Sequence, residues 1–272
     1  MRDDLFGNFL FFSLGSGSCG NCYYLGTRRY GLLIDAGIGP RIIKKRLSVH
    51  GIELGQIMGI LVTHDHYDHI KSVGYLADKS RIPVYATPAV HRGIARNPLI
   101  KQSLNGSARH IEKGMPFHIE DFRITAFEVP HDSNDNVGYF FEFGSHKLTL
   151  VTDIGSITDE VAYYATQANH LIIESNYDEE MLRKGRYPHH LKQRITCGTG
   201  HLSNRQTAEF LANNCSGHLR NIRLCHLSGE NNRPDLAYRT VAEQLTLKGI
   251  RVGQDVSLQV FERNVLSGEI KL

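Results

Sequence analysis

Met58-Gly59-Ile60-Leu61-Val62-Thr63-His64-Asp65-His66-Tyr67-Asp68-His69 is the stretch on which the reading of this chain turns. Residues 58–62 are apolar and read as a buried strand, while the residues from Ile70 onward read as the start of a helix. The polar cluster between them therefore lies on a strand-to-helix loop. His64 and His66 are two residues apart, so in extended backbone both rings point the same way and can grip one cation. Asp68 and His69 come a turn later, at the helix entrance, and can face a second cation. Neutral imidazole and carboxylate are donors that zinc, manganese and iron(II) accept. The plain alternative is an exposed polar turn that happens to be rich in histidine. Four donors in this order behind a buried strand argue against it.

Working outward, strand-like runs cover 9–14, 21–25, 31–35, 58–63, 122–129, 138–143, 147–152, 170–174, 222–226 and 256–261. Helical periodicity covers 40–50, 70–78, 89–96, 158–166, 205–213 and 234–247, with Ser203 and Asn204 as N-cap residues ahead of 205–213. Strand-rich segments punctuated by helices in both halves point to an α+β fold, two sheets packed face to face with helices outside. No linker, low-complexity tract or short repeat interrupts 1–272, which reads as a single domain.

The 272 residues, 41% of them apolar, suffice for a sizeable core. A formal charge of +3 is too small to identify an acidic substrate. Fifteen histidines is a high count that metal ligation would explain. Asp3 and Asp4 stand where a secretory signal needs positive charge, so residues 1–12 read as a first strand instead. No run approaches the ~18 apolar residues of a membrane span. Cys19, Cys22, Cys197, Cys215 and Cys225 are an odd set, which points to reduced thiols in a cytoplasmic protein. Cys19-Gly20-Asn21-Cys22 lies between strand-like runs with no second cysteine pair, which speaks against a thioredoxin-like or half-zinc site.

A dinuclear site needs more ligands than the cluster supplies. His131 in Val129-Pro130-His131-Asp132, Asp153 in Leu150-Val151-Thr152-Asp153 and His226 in Leu224-Cys225-His226-Leu227-Ser228 each end a strand-like run. Strand ends on one rim converge, which is how ligands distant in sequence meet. A lone histidine at a strand end is more often simply hydrogen-bonded; the three positions together carry weight.

The order H-x-H-x-D-H, then His, Asp and His, resembles the metallo-β-lactamase superfamily over almost the whole chain. The resemblance implies an αββα sandwich in which His64, His66 and His131 hold one metal and Asp68, His69 and His226 the other, with Asp153 bridging. His66, where the oxygen-reducing diiron branch has Glu, and Asp153, where many true β-lactamases have Cys, favour a dinuclear hydrolase. Ser13-Leu14-Gly15-Ser16-Gly17-Ser18-Cys19-Gly20-Asn21, Leu33-Ile34-Asp35-Ala36-Gly37, Ile82-Pro83-Val84-Tyr85-Ala86-Thr87, Gly200-His201-Leu202-Ser203-Asn204 and His226-Leu227-Ser228-Gly229-Glu230-Asn231-Asn232 are similar to the YycJ/WalJ subgroup. Members of that subgroup resemble exonucleases that degrade double-stranded DNA from a 5′ end, and they are related to the tRNA 3′-processing branch. The chain departs from the subgroup at Cys19, where Ser is usual, and at Asp65 and Tyr67, where Glu and Ser are commoner. None of the three is a ligand.

The implied reaction is phosphodiester hydrolysis by in-line attack of a hydroxide bridging two divalent ions, zinc or manganese, with iron(II) as a third option. Asp68 would orient that hydroxide as well as bind metal. The leaving oxygen needs a proton, and His201 is the candidate donor. On its own segment His201 is as readily a loop histidine bound to backbone. The tRNA-processing relatives tip the balance, since they place an acid-base histidine there, oriented by a glutamate ending a preceding strand. Glu174 stands in the matching place, where an acidic residue after a buried strand is otherwise a plain neighbour of a helix N-cap. Ser16, Ser18 and Asn21 are candidate phosphate contacts on a glycine-rich loop, an ordinary tight turn being equally open; the loop precedes a strand rather than a helix, which excludes a dinucleotide fold. Arg183, Lys184 and Arg186, in the basic stretch 183–194, are candidate contacts to backbone phosphates, a solvated helix face being equally open. The expected partner is nucleic acid, DNA first. An RNA 3′-processing enzyme or a hydroxyacyl-glutathione thioesterase on the same metals, and a metal-bearing regulator, are the competing readings.

Overall fold

The computed structural model describes residues 9–104 and 106–272. The part of the expected first strand that falls on 1–8 lies outside the described residues. In chain order the strands are β1 (Leu10–Gly15), β2 (Cys22–Gly26), β3 (Gly31–Ile34), β4 (Ile57–Leu61), β5 (Val84–Ala86), β6 (Ala108–His110), β7 (Phe117–Ile119), β8 (Phe122–Glu128), β9 (Val137–Phe143), β10 (His146–Val151), β11 (His170–Glu174), β12 (Asn221–Cys225), β13 (Ser257–Val260) and β14 (Ile270–Lys271). The helices are α1 (Pro40–Val49), α2 (Tyr67–Ile70), α3 (Val73–Ser80), α4 (Pro88–Arg96), α5 (Asp159–Thr166), α6 (Glu179–Lys184), α7 (His189–Thr196), α8 (Asn204–Asn214) and α9 (Pro234–Leu247). Two compact units result. One runs to Arg123 and adds Ser133–Asn136 and Asn264–Leu272; the other comprises Ile124–Asp132 and Val137–Arg263.

The first sheet has the order β14-β1-β2-β3-β4-β5-β6. Pairing is antiparallel from β14 to β3 and parallel from β3 to β6. β4 fits its central place: an apolar run in which only Met58 is part-exposed suits a parallel strand covered on both faces. Pro40 opens α1 at a position that needs no N–H donor, and Ile43 and Leu47, one turn apart, turn its apolar stripe inward. Phe12, Leu33, Ile60, Val62, Ile70 and Leu76 belong to this unit's core.

The second sheet has the order β13-β12-β11-β10-β9-β8-β7. β10 to β13 run parallel, and β9 pairs antiparallel with β10. β11 is buried along its whole length. Thr158 caps α5 and Ser203 caps α8, the latter with Gln206 closing a reciprocal capping box. The core of this unit gathers Phe127, Val151, Ile173, Leu224, Leu211 and Val241. Two mixed sheets flanked by helices are the α+β architecture expected.

The ten expected strands and six expected helices are all present within a few residues, with one difference inside the segment after the histidine cluster. The single helix expected over 70–78 is α2 followed by α3, joined through Lys71 and Ser72, which stay right-handed. Strands β5, β6, β7 and β14 have no signature in the sequence, because two or three residues cannot display an alternation. Helices α6 and α7 lie in the charged stretch and show little apolar stripe; α7 buries no residue at all.

Candidate functional site

In the first unit the donors gather at the carboxyl ends of two neighbouring parallel strands, β3 and β4. Asp35 follows β3 in the left-handed region, φ 59°, which turns its carboxylate toward the loop after β4. That conformation costs a non-glycine residue ~1–2 kcal/mol, and three hydrogen bonds offset it. Asp35 accepts the Thr63 N–H at 2.8 Å, the Thr63 hydroxyl at 2.9 Å and His69 Nδ1–H at 2.7 Å. The Thr63 hydroxyl, having donated to Asp35, accepts from His64 Nδ1 at 3.0 Å. Both rings are thereby fixed with Nε2 as the basic nitrogen, the usual preparation of a metal-binding histidine. The Asn21 amide lies 2.8 Å from His69 Nε2, and Asp68 Oδ2 lies 3.7 Å from the same atom. The His64 ring centroid is 4.6 Å from that of His66 and 4.1 Å from that of His69. His66 is the extended residue just before α2, and Gly37 packs so closely that any side chain there would run into the Asp68 carbonyl.

In the second unit the pattern repeats at the carboxyl ends of β10, β11 and β12, three adjacent parallel strands. Asp153 and His226 follow β10 and β12 with φ of 51° and 55°, and Glu174 ends β11. Glu174 is fully buried. Its Oε1 accepts His226 Nδ1–H at 2.7 Å and His201 Nδ1–H at 2.8 Å, and its Oε2 accepts the Ile154 N–H at 2.9 Å. His131 Nδ1–H donates to the Gly200 carbonyl at 3.1 Å. Held in this way, His226 and His131 turn Nε2 toward one oxygen, Asp153 Oδ1, at 3.5 and 3.6 Å. Ligand atoms of Asp153, Glu174, His201 and His226 all lie within 4.8 Å of one another. His131, His226 and Asp153, with both Nδ1 atoms already satisfied by the protein, form an N/O donor set that fits a divalent ion.

Electrostatics follow from burial and pairing. Burial pushes the Glu174 carboxyl up, but the imidazoles of His201 and His226 outweigh it and hold it below the usual carboxylate range. Burial pushes His201 down, but Glu174, with Asp153, outweighs it and holds the imidazole above its ordinary value. Glu174 thus favours the charged, proton-donating form of His201.

The substrate contacts are a different matter. Ser18 is exposed, whereas Ser16 and Asn21 are fully buried. Ser16 Oγ pairs with the Tyr23 hydroxyl at 3.0 Å, and Asn21 Oδ1 accepts the Gly17 N–H at 2.8 Å. Both side chains brace the glycine-rich loop from inside. Arg183 and Lys184 reach the Glu180 carboxylate at 2.9 and 2.5 Å, which halves the positive field they offer, while Arg186 is exposed. Asp35, Thr63, Asn176 and the Gly200 carbonyl were not singled out from sequence. Asn176 donates to the His226 carbonyl at 2.8 Å. The signal for Asp35 was present, an acidic residue between a buried strand and Ala36-Gly37, but its partners lie 28 and 34 residues away.

The chain is similar to known proteins over most of its length. The family model described as "Beta-lactamase superfamily domain" matches residues 30–217. "Exodeoxyribonuclease YycJ" of Bacillus anthracis is 36% identical over 241 residues, 89% of this chain and 90% of that protein. "Exodeoxyribonuclease WalJ" of Streptococcus pneumoniae strain D39 is 36% identical over 243 residues, with the same shares covered. The crystal structure of the metallo-β-lactamase fold protein YhfI from Bacillus subtilis superposes with a TM-score of 0.71 at 16% identity, covering 96% of this chain and 99% of that one. With two mixed sheets, histidine and aspartate donors at their strand ends and these relatives, the chain belongs to the metallo-β-lactamase superfamily of hydrolases, in the group of YycJ and WalJ.

Proposed function

We propose that this protein is a metal-dependent exonuclease that degrades double-stranded DNA from a 5′ end, acting as one catalytic domain in the cytoplasm. The observation that carries the reading is the Glu174–His201 pair standing beside Asp153 and His226. A purely structural metal site needs no proton donor, and a thioester substrate gives this one no task. DNA comes from the relatives, two of which are named exodeoxyribonucleases. The cytoplasm is inferred from five free cysteines, and among the described residues no helix is long and apolar enough to cross a membrane.

His64, His66 and His131 would hold one divalent ion, Asp68, His69 and His226 the second, and Asp153 would touch both. His69 Nε2, whose lone pair the Asn21 amide takes, would pass to the metal. Zinc and manganese suit such donors, and iron(II) is the third candidate. Bound there, the two ions supply Lewis-acid charge for the phosphate oxygens and lower the pKa of water toward ~7. The chain's own residues do the rest. Asp68 orients the attacking water. Glu174 fixes the His201 tautomer and leaves Nε2–H to be given to the departing oxygen. Exposed Ser18 would meet phosphate, as would Arg183, Lys184 and Arg186.

Incubating metal-loaded protein with end-labelled duplex DNA, single-stranded DNA and RNA tests this directly, with His64→Ala as the inactive control. Release of nucleotides from the 5′ end of the duplex supports the reading. Cleavage of RNA alone transfers the enzyme to 3′ processing, and hydrolysis of a hydroxyacyl-glutathione with none of the nucleic acids makes it a thioesterase.

A further inference from the structure

Tyr67, Lys71, Tyr75 and Lys79 stand four residues apart on the segment leaving the histidine cluster, and all four are exposed. Lys71, with φ −43° and ψ −39°, and Ser72, with φ −106° and ψ −2°, keep the backbone right-handed from α2 into α3. The helical ladder breaks there, since the Ser72 N–H donates to the Ala36 carbonyl at 2.8 Å, so the stripe is two exposed ring–cation pairs on successive short helices, Tyr67 with Lys71 and Tyr75 with Lys79. The opposite face is already docked, since Ile70, Val73, Leu76 and Ala77 belong to the core. The two tyrosines, 38% and 41% exposed, are not members of that core cluster. A solvent-facing helix stripe ordinarily carries charged and polar groups. This one alternates ring and cation, and it begins between His66 and Asp68. The Lys71 ammonium lies 6.0 Å from the Tyr67 ring centroid. Lys79 is balanced by Asp78 at 2.9 Å, which leaves Lys71 as the main cation of the stripe.

Resting on the nuclease reading above, we propose that this stripe is a track for unpaired nucleotides of the DNA strand. Tyr67 and Tyr75 stack on bases, and Lys71 faces the phosphates between them. Every base has a π-face, so stacking accepts any sequence and contributes about 1–3 kcal/mol per base. A fully paired duplex keeps its base faces covered, so the track takes a frayed or single-stranded region. Lysine is depleted at protein–protein interfaces, and its alternation with rings favours a polyanion with flat bases over a protein partner.

The chain has no tryptophan, so Tyr75→Trp makes a single reporter. In a His201→Ala background, which slows turnover, a single-stranded oligodeoxynucleotide should quench its emission saturably. Tyr163→Trp on α5 should stay bright. Tyr75→Ala should weaken binding about tenfold, and Lys71→Gln should lower the slope of log affinity against log salt by ~0.7. Unchanged emission at saturating oligonucleotide, equal quenching at Tyr163→Trp, or undiminished affinity in Tyr75→Ala overturns the track. Binding is read without turnover, so the two readings fail separately. A chain that binds and quenches yet never cleaves counts against the nuclease alone, and one that cleaves without quenching counts against the track alone.

Discussion

Glu174 does two jobs with one oxygen. Oε1 receives Nδ1–H from both His201 and His226, the proposed proton donor and a proposed ligand. Glu174→Gln keeps the shape but removes the charge and replaces one of the two acceptor oxygens by a donor, so His201 loses the interaction that raises it and His226 is held by a weaker acceptor. Metal affinity should fall 10–100-fold, the usual cost of losing an orienting partner, with cleavage slowed at least as much and the far-ultraviolet dichroism unchanged. Metal titration of a folded variant that binds as tightly as the parent would contradict this. His201→Ala separates the two jobs: metal content, measured by elemental analysis, should stay at the parent's level while turnover drops on the order of a hundredfold or more. Near-parental turnover would end the donor role. The donors at this scale were legible because H-x-H-x-D-H is a local signal. Asn176 was not, and Asp35 shows only as an acidic residue after a buried strand, because a hydrogen-bond partner fixed by strand order leaves no local pattern.

In each unit the candidate donors stand at strand ends, and the conformation there explains what the sequence could and could not reveal. Asp35, Asp153 and His226 each follow a parallel strand in the left-handed region. The apolar runs before them, Leu32 to Ile34 or Leu148 to Val151, are readable as buried strands. The turn that follows is not, since none of the three is a glycine or asparagine. At the other end of the second sheet, β11 begins with His170, which is 4% exposed. It pairs with His146 Nδ1 at 3.2 Å and with the Asn221 amide at 2.8 Å. Burial, with His146, Arg220 and Arg223 nearby, pushes His170 down to about 4. An unfolded histidine titrates near 6.5. Above that pH neither state takes the proton, and the full stability is present. As pH falls from about 6.5 toward 4 the unfolded chain protonates first, so stability is lost, by about 3 kcal/mol in all. Urea unfolding at pH 7 and pH 4.5 should show His170→Gln losing less stability than the parent over this interval. Identical losses would mean that His170 is not the linked group.

At the scale of the whole molecule, the proposed ligands run in sequence from His64 to His226, so a bound ion ties distant parts of the chain to the folded state alone. Anything that binds the folded chain but not the unfolded one stabilises it by RT ln(1 + [L]/Kd), about 2.7 kcal/mol at a hundred times Kd. For a chain of this size each kcal/mol moves the midpoint by ~2–4 °C. Stripping metal with a chelator should therefore lower the thermal midpoint by roughly 5–10 °C per ion and abolish hydrolysis, and added zinc or manganese should restore both. The unfolded chain carries fifteen histidines and five cysteines that also take metal, so the shift should fall in the lower part of that range. Loss of one ligand tests the location of the ion rather than its presence. His64→Ala should reduce the midpoint gain on adding metal, whereas His218→Ala, on an exposed turn bonded to Ser216 and Thr166, should keep it whole. If both variants gain as much as the parent, the stabilising ion sits elsewhere. If neither the parent nor the variants respond to chelator or metal, the donors at the strand ends hold one another by hydrogen bonds alone, and the hydrolase must act without the ions its residues are arranged to receive.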